Sequence, residues 1–200
     1  FAENNQFMMS TMETAFGPQT AKITEISSYS YYSNVSPVDS GVSVMFLTEA
    51  DTFSKMYEMA TETTDARPQI AENSRIVPEL LPDKMRFMTS SPNNSIIVMG
   101  DGTDTLYIFK FFNAGNERQL SGWTTWQLPA DVLFAEFYHD TLYIVHDDDS
   151  AGVSLVTLNM LDDPDTAPII TDSRKMEPRM DNLISYTVSD FTEEDSETWR

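Results

Sequence analysis

His146-Asp147-Asp148-Asp149 sets an imidazole beside three carboxylates, a donor set suited to a hard cation such as calcium, which is held by several oxygens. Consecutive residues at a strand end point alternately to opposite sides, so these four do not converge on one ion. An acidic hairpin loop running into Ser150-Ala151-Gly152 is the simpler reading. Asp101-Gly102-Thr103-Asp104 opens like a calcium loop but lacks the bidentate Glu that closes one, and reads as a β-turn. The two histidines, His139 and His146, bracket a single predicted strand at odd separation and fall on opposite faces, so no nucleophile–base–acid set forms around them. With no Cys there is no thiolate nucleophile, disulfide or Cys-containing zinc site. Nothing among the 32 acidic residues singles out a pair for glycoside hydrolysis, and 7 glycines supply no phosphate-cradling loop. Trp123 and Trp126 lie on opposite faces of a predicted strand, which suits one core contact and one sheet or subunit contact better than a sugar-stacking platform. No catalytic, cofactor-binding or metal-binding residue is assigned.

Composition bounds what could position such residues. A chain of 200 residues has room for one ordinary domain or two small ones, and 40% hydrophobic content with 12 Phe and 8 Tyr is enough for a real core. The 32 acidic residues against 12 basic ones give a formal net charge of −20. Such a chain cannot wrap duplex DNA or bind an anionic membrane through Lys and Arg, because that affinity comes from neutralising phosphates. No apolar run reaches the length of a spanning helix, and Phe1–Phe7 does not have the pattern of a signal peptide. The opening without Met and the ending at Trp199-Arg200 suggest a piece of a longer protein.

The chain reads as short strands separated by turns: Ile23–Tyr32, Val42–Leu47, Ser95–Met99, Thr105–Phe112, Trp123–Leu128, Val132–Tyr138, Thr141–His146 and Val153–Met160. Phe53, Met56, Tyr57 and Ala60 sit at helical spacing, with Asp51 or Thr52 available as N-cap, and on their own predict a two-turn helix. Thr61–Leu81, with prolines at 68, 78 and 82, reads as an extended connection. The stretch from Asp162 to Arg200 is strongly acidic, with Leu183–Val188 as one candidate strand. Asp104-Thr105-Leu106-Tyr107-Ile108 recurs as Asp140-Thr141-Leu142-Tyr143-Ile144, each copy after an apolar strand and a tight turn. A period of this size suggests propeller blades; a β-sandwich in which two hairpins share a pentapeptide is the alternative. The expected fold class is all-β, an antiparallel meander with β-propeller-type blades that forms part of an incomplete or larger ring. Its expected parts are a β-rich segment with a Pro-rich connection over 1–84, two blades over 85–161 and an acidic segment over 162–200.

The order of motifs resembles a known family. Leu106-Tyr107-Ile108-Phe109-Lys110-Phe111, then Glu117-Arg118-Gln119, then Ser121-Gly122-Trp123-Thr124-Thr125-Trp126, then Asp140–Val145, is similar to the tail nozzle protein (tail tubular protein B) of short-tailed podophages. Pro37–Phe46 and Ile76–Pro82 resemble its upstream stretches, Phe1–Ala21 fits the preceding one, and Met180–Tyr186 is more weakly similar. For Phe53–Ala60 the resemblance implies a strand, and that reading is preferred to the helix. It further implies a virion structural protein of the tail, not an enzyme: a homohexameric ring below a tail adaptor ring, with a propeller-type region, conducting transiting genomic DNA without specific binding and carrying tail fibre protein nearby. Acidic walls would suit such a conduit, with Asp147, Asp148 and Asp149, or Asp162–Asp165, facing the channel; a generally acidic, soluble surface is the competing reading. Tyr29, Tyr31, Tyr32, Phe111 and Phe112 are candidate subunit contacts, with core packing favoured for the two Phe. Two other functions stay open: a secreted or surface β-propeller binding a glycan or receptor through Trp123, Trp126 and the Tyr-rich strand, and a hydrolase on a propeller scaffold.

Overall fold

A computed structural model describes residues 1, 4–11, 17–61, 68–93, 95–114, 117–148 and 152–160, which belong to one compact unit. Every pairing is antiparallel. β1 (Gln6–Thr11) and β2 (Ala21–Ser27) form a separate hairpin. Sheet I runs β3 (Val38–Asp39), β4 (Ser43–Ala50), β5 (Phe53–Thr61), β6 (Pro68–Glu72), with β7 (Leu81–Pro82) sharing the outer edge of β5 after a 3-10 turn at Ser74–Ile76. Sheet II runs β8 (Phe87–Ser91), β9 (Ile96–Gly100), β10 (Thr105–Ala114), β11 (Glu117–Gln127), and sheet III runs β12 (Asp131–Tyr138), β13 (Thr141–Asp148), β14 (Gly152–Asn159). In each sheet the strands follow chain order, because links of a few residues can only return the chain to the adjacent position.

Sheet II is covered on both faces. Met45, Leu47 and Met56 of sheet I pack with Met88, Ile97, Met99, Phe109 and Phe111 in one core, closed at its margin by Tyr32 and Trp123. Phe87, Ile96, Val98, Leu106 and Ile108 pack with Val132, Ala135, Leu142 and Ile144 of sheet III in a second core, bordered by Trp126 and Phe137. Strand alternation sends successive side chains of β9 and β10 to the two cores in turn, so these strands are apolar along most of their length. A register shift between Val132 and Phe134 lets Val132 and Ala135, three residues apart, point to the same core.

The antiparallel all-β expectation holds, and the preferred strand at Phe53–Ala60 is β5. Asp51 is not a helix cap; it sits at φ +50 in the two-residue turn between β4 and β5. The extended connection over Thr61–Leu81 needs correction: Pro68–Glu72 is a paired strand, with Pro68 at its first position, where a missing N–H is tolerated. The strand expected over Ile23–Tyr32 ends at Ser27. β8 was not foreseen. The two copies of the repeat begin β10 and β13, the third strand of sheet II and the second of sheet III, and their Leu and Ile side chains meet in the same core. Asp149, Asp162–Asp165, Met180–Tyr186 and Leu183–Val188 lie outside the described residues.

Candidate functional site

The first strands of the three sheets, β3, β8 and β12, lie side by side. The Ser90 hydroxyl donates to the Asp39 carbonyl, joining β8 to β3. Thr89, buried on β8, donates its hydroxyl to Glu136 Oε1 at 3.2 Å and accepts the Phe137 N–H at 3.0 Å, joining β8 to β12. The Phe137 N–H thus finds a side-chain acceptor on the neighbouring sheet. These three strands carry Asp39, Asp131 and Glu136, all exposed, and no Lys or Arg. Sequence reasoning missed them because they are far apart along the chain; only the sheet order gathers them. Asp39 Oδ1 also accepts the Gly41 N–H at 2.7 Å, which holds the turn into β4.

Asp147 lies one strand further out, directly across from Asp131 on β12 and from Val153 on β14. Asp148 is the last residue of β13. Asp147 therefore shares one face of sheet III with Asp131. At the same end of the sheets the β9–β10 turn holds Asp101, whose Oδ1 accepts the Thr103 N–H at 3.0 Å and the Thr103 hydroxyl at 2.7 Å; the Thr103 carbonyl accepts the Val132 N–H at 3.0 Å. Burial, then Asp101 and Asp104, push the Tyr107 phenol up. His146 Nε2 lies 3.0 Å from Ser154 Oγ, while His139 occupies the β12–β13 turn at φ +53. Among the described residues, no three His, Cys, Asp or Glu side chains are grouped as a metal site.

Trp123 and Trp126 do fall on opposite faces of β11, one against each core. Trp123 Nε1 donates to the Asn73 carbonyl at 3.2 Å. Of the five aromatic contact candidates, Phe111 is buried and Tyr32 packs at a core margin. Tyr31 donates its hydroxyl to the Val35 carbonyl at 2.9 Å, and burial raises its pKa. Tyr29 packs on Tyr57 with ring centroids 4.5 Å apart and stays partly open to solvent, while Phe112 is exposed.

A polar clasp, also unforeseen, ties the outer part of sheet II to sheet I. Arg118 on β11 makes a two-pronged ion pair with Glu58 on β5, Nη1 to Oε2 at 2.7 Å and Nη2 to Oε1 at 2.9 Å. Ser43 donates to Glu58 Oε1 at 2.6 Å, Asn73 donates to Oε2 at 3.0 Å, and the guanidinium lies 4.5 Å from the Phe111 ring centroid. The planar fork of arginine matches a carboxylate in a way the lysine ammonium cannot.

Sheets stacked face to face, joined along their first strands and clasped further out, define an antiparallel all-β protein. A family model for the bacteriophage nozzle protein matches residues 1–199, and the chain belongs to that family. It is accordingly a structural component of the phage virion tail, assembled there with other tail proteins. A comparison with curated proteins finds no match. Among the described residues no helix is long and apolar enough to cross a membrane.

Proposed function

We propose that this chain is a segment of the tail nozzle wall of a short-tailed phage, forming part of the DNA-ejection conduit below the tail adaptor and a platform for tail fibres. Six copies form the ring, and the chain performs no chemistry. Residues 85–161 supply two propeller-type blades, 1–84 the preceding β-rich segment and 162–200 an acidic segment. The observation that carries the reading is the juxtaposition of β3, β8 and β12. Successive sheets meet along their first strands, as blades do around an axis, and those strands expose carboxylates without one basic residue.

A tube that passes DNA must not hold it. Basic walls would release counterions from the duplex and bind it, whereas acidic walls repel phosphates and keep it centred. Screening restricts the effect to about 8 Å at physiological ionic strength, so only carboxylates beside the duplex act. Asp39, Asp131 and Glu136 are assigned to that wall, and the run Asp147, Asp148 and Asp149 is proposed to face the same channel. The test is genome ejection in vitro from phage carrying Asp131→Asn with Glu136→Gln, or Asp147→Asn with Asp148→Asn and Asp149→Asn. Slowed ejection is expected from both sets. Ejection as fast as wild type from both would overturn the acidic-wall reading.

A further inference from the structure

The β10–β11 hairpin extends past β9, whose pairing with β10 ends at Lys110. On one of its faces Phe109, Phe111 and Trp123 pack into the core with sheet I. The Arg118–Glu58 clasp backs that face, with the guanidinium against both Phe rings. On the other face Ile108 is buried in the core with sheet III, and beyond it come Lys110, Phe112, Leu120 and Gly122, all exposed. Phe112 and Leu120 are cross-strand partners, 57% and 71% exposed. Lys110 lies across from Gly122, where an added Cβ would meet nothing within 4 Å. These residues line an open groove of about 410 Å3, and Lys110 is its one charged lining residue. Among the described residues no carboxylate pairs with it.

An apolar pair held on a preformed, clasped hairpin can bind without the cost of ordering a loop. The lone lysine selects a carboxylate to sit beside whatever fills the apolar part. Nucleic acid does not fit, because its backbone needs several cations and the groove has one. A second copy would bring its own net charge of −20 against this chain's −20, a repulsion that a less acidic partner does not meet. β10 and β11 are the two strands of sheet II farthest from β8, hence from the acidic strands assigned to the channel. The chain is assembled with other tail proteins, and this groove is open to one of them.

We propose that the groove docks another protein of the tail, through a segment that sets a large apolar side chain beside an Asp or Glu. The apolar side chain fills the space over Gly122 against Phe112 and Leu120, and the carboxylate pairs with Lys110. The inference rests on the reading above for the outward position of the groove, and adds the chemistry by which the partner is recognised.

The test is carbodiimide coupling on purified phage, followed by mass spectrometry of the peptide joined to Lys110. The reagent activates a carboxylate, and the lysine amine displaces it to leave an amide with no spacer, so a carboxylate in contact with Lys110 is the one that couples. The expected product joins Lys110 to an Asp or Glu of a different tail protein, with a large apolar residue within two positions of it. Coupling to a carboxylate of this same chain would overturn the choice of partner. A Lys110 that stays uncoupled would overturn the ion pair and the docking site with it.

Phage carrying Leu120→Asp supply the second arm. Leu120 is mostly exposed, so the isolated variant should keep wild-type circular dichroism and melting. Its virions should retain this chain and lose both the cross-link and the coupled protein. Retention of both would overturn the site. Loss of this chain from the particles would show that the groove holds the wall together, and would overturn the outer partner. Ejection rates of the acidic-residue variants test the channel wall separately, so either account can fail without the other.

Discussion

Thr89 Oγ1 accepts the backbone N–H of Phe137 at 3.0 Å, so a side chain on the first strand of one sheet satisfies the first strand of the next. Thr89 is 1% exposed, and water cannot replace it. Thr89→Val keeps the shape, removes the acceptor and strands a buried donor, at a cost of about 1–3 kcal/mol. Thr89→Ser should recover most of it. Urea denaturation of the two variants checks this, and equal stability for Val and Ser would contradict the bridge.

Arg118→Ala leaves Glu58 with its side chain only 14% exposed and its fork partner gone. Loss of one partner from a largely buried pair costs about 3 kcal/mol. Arg118→Lys restores charge but not the fork and should fall between Ala and wild type. Thermal melting of the three proteins gives the order. Lysine at full wild-type stability would show that the two-pronged geometry contributes nothing.

Gly100 pairs with Phe87, and an added Cβ would lie 2.3 Å from the Phe87 ring. Gly100→Ala must therefore displace a ring that is 5% exposed in the core between sheets II and III, at a cost on the order of 1–3 kcal/mol. The strain should fall when the ring is shortened, so Phe87→Leu in the Gly100→Ala background should lose less than the two single losses added. A double-mutant cycle measures this, and strict additivity would count against the contact.

Which parts of this structure are legible in the chain follows from how much of each strand's pattern survives burial. β10, β12, β13 and β14 are rich in β-branched and aromatic residues and bounded by Gly, Asp or Ser turns, so they read directly. In β5 both faces are covered: Met56 enters the core with sheet II, and Tyr57 packs on the other side with Phe46 and Tyr29. Apolar residues on both sides of a strand imitate helical spacing, and only the family resemblance corrects it. β8 hides behind Thr89, Ser90 and Ser91, hydroxyl residues that suggest a loop; Thr89 and Ser90 are satisfied by neighbouring strands. The run Asp147–Asp149 is visible because it is contiguous. Asp39, Asp131 and Glu136 become a group only once the strand order is known.

Tyr57 provides a pH handle. Burial, then the nearby Glu72 and Tyr29, push its phenol up from 10.0 to about 12, and its hydroxyl hydrogen-bonds Glu72. The folded state therefore favours the protonated phenol. That contribution is fully present below the unfolded value of about 10 and is lost as pH rises through about 12. Between pH 9 and 12 the urea midpoint of wild type should fall more than that of Tyr57→Phe, which has no proton to lose. Parallel curves for the two proteins would contradict the assignment.

The most direct measurement is electron cryomicroscopy of the phage tail, at a resolution that traces strands and locates this chain. The expected result is a sixfold ring with an open channel, bordered by β3, β8 and β12 and their carboxylates Asp39, Asp131 and Glu136. A tail in which these strands point away from the axis, or in which the chain forms no ring around the DNA path, would contradict the conduit.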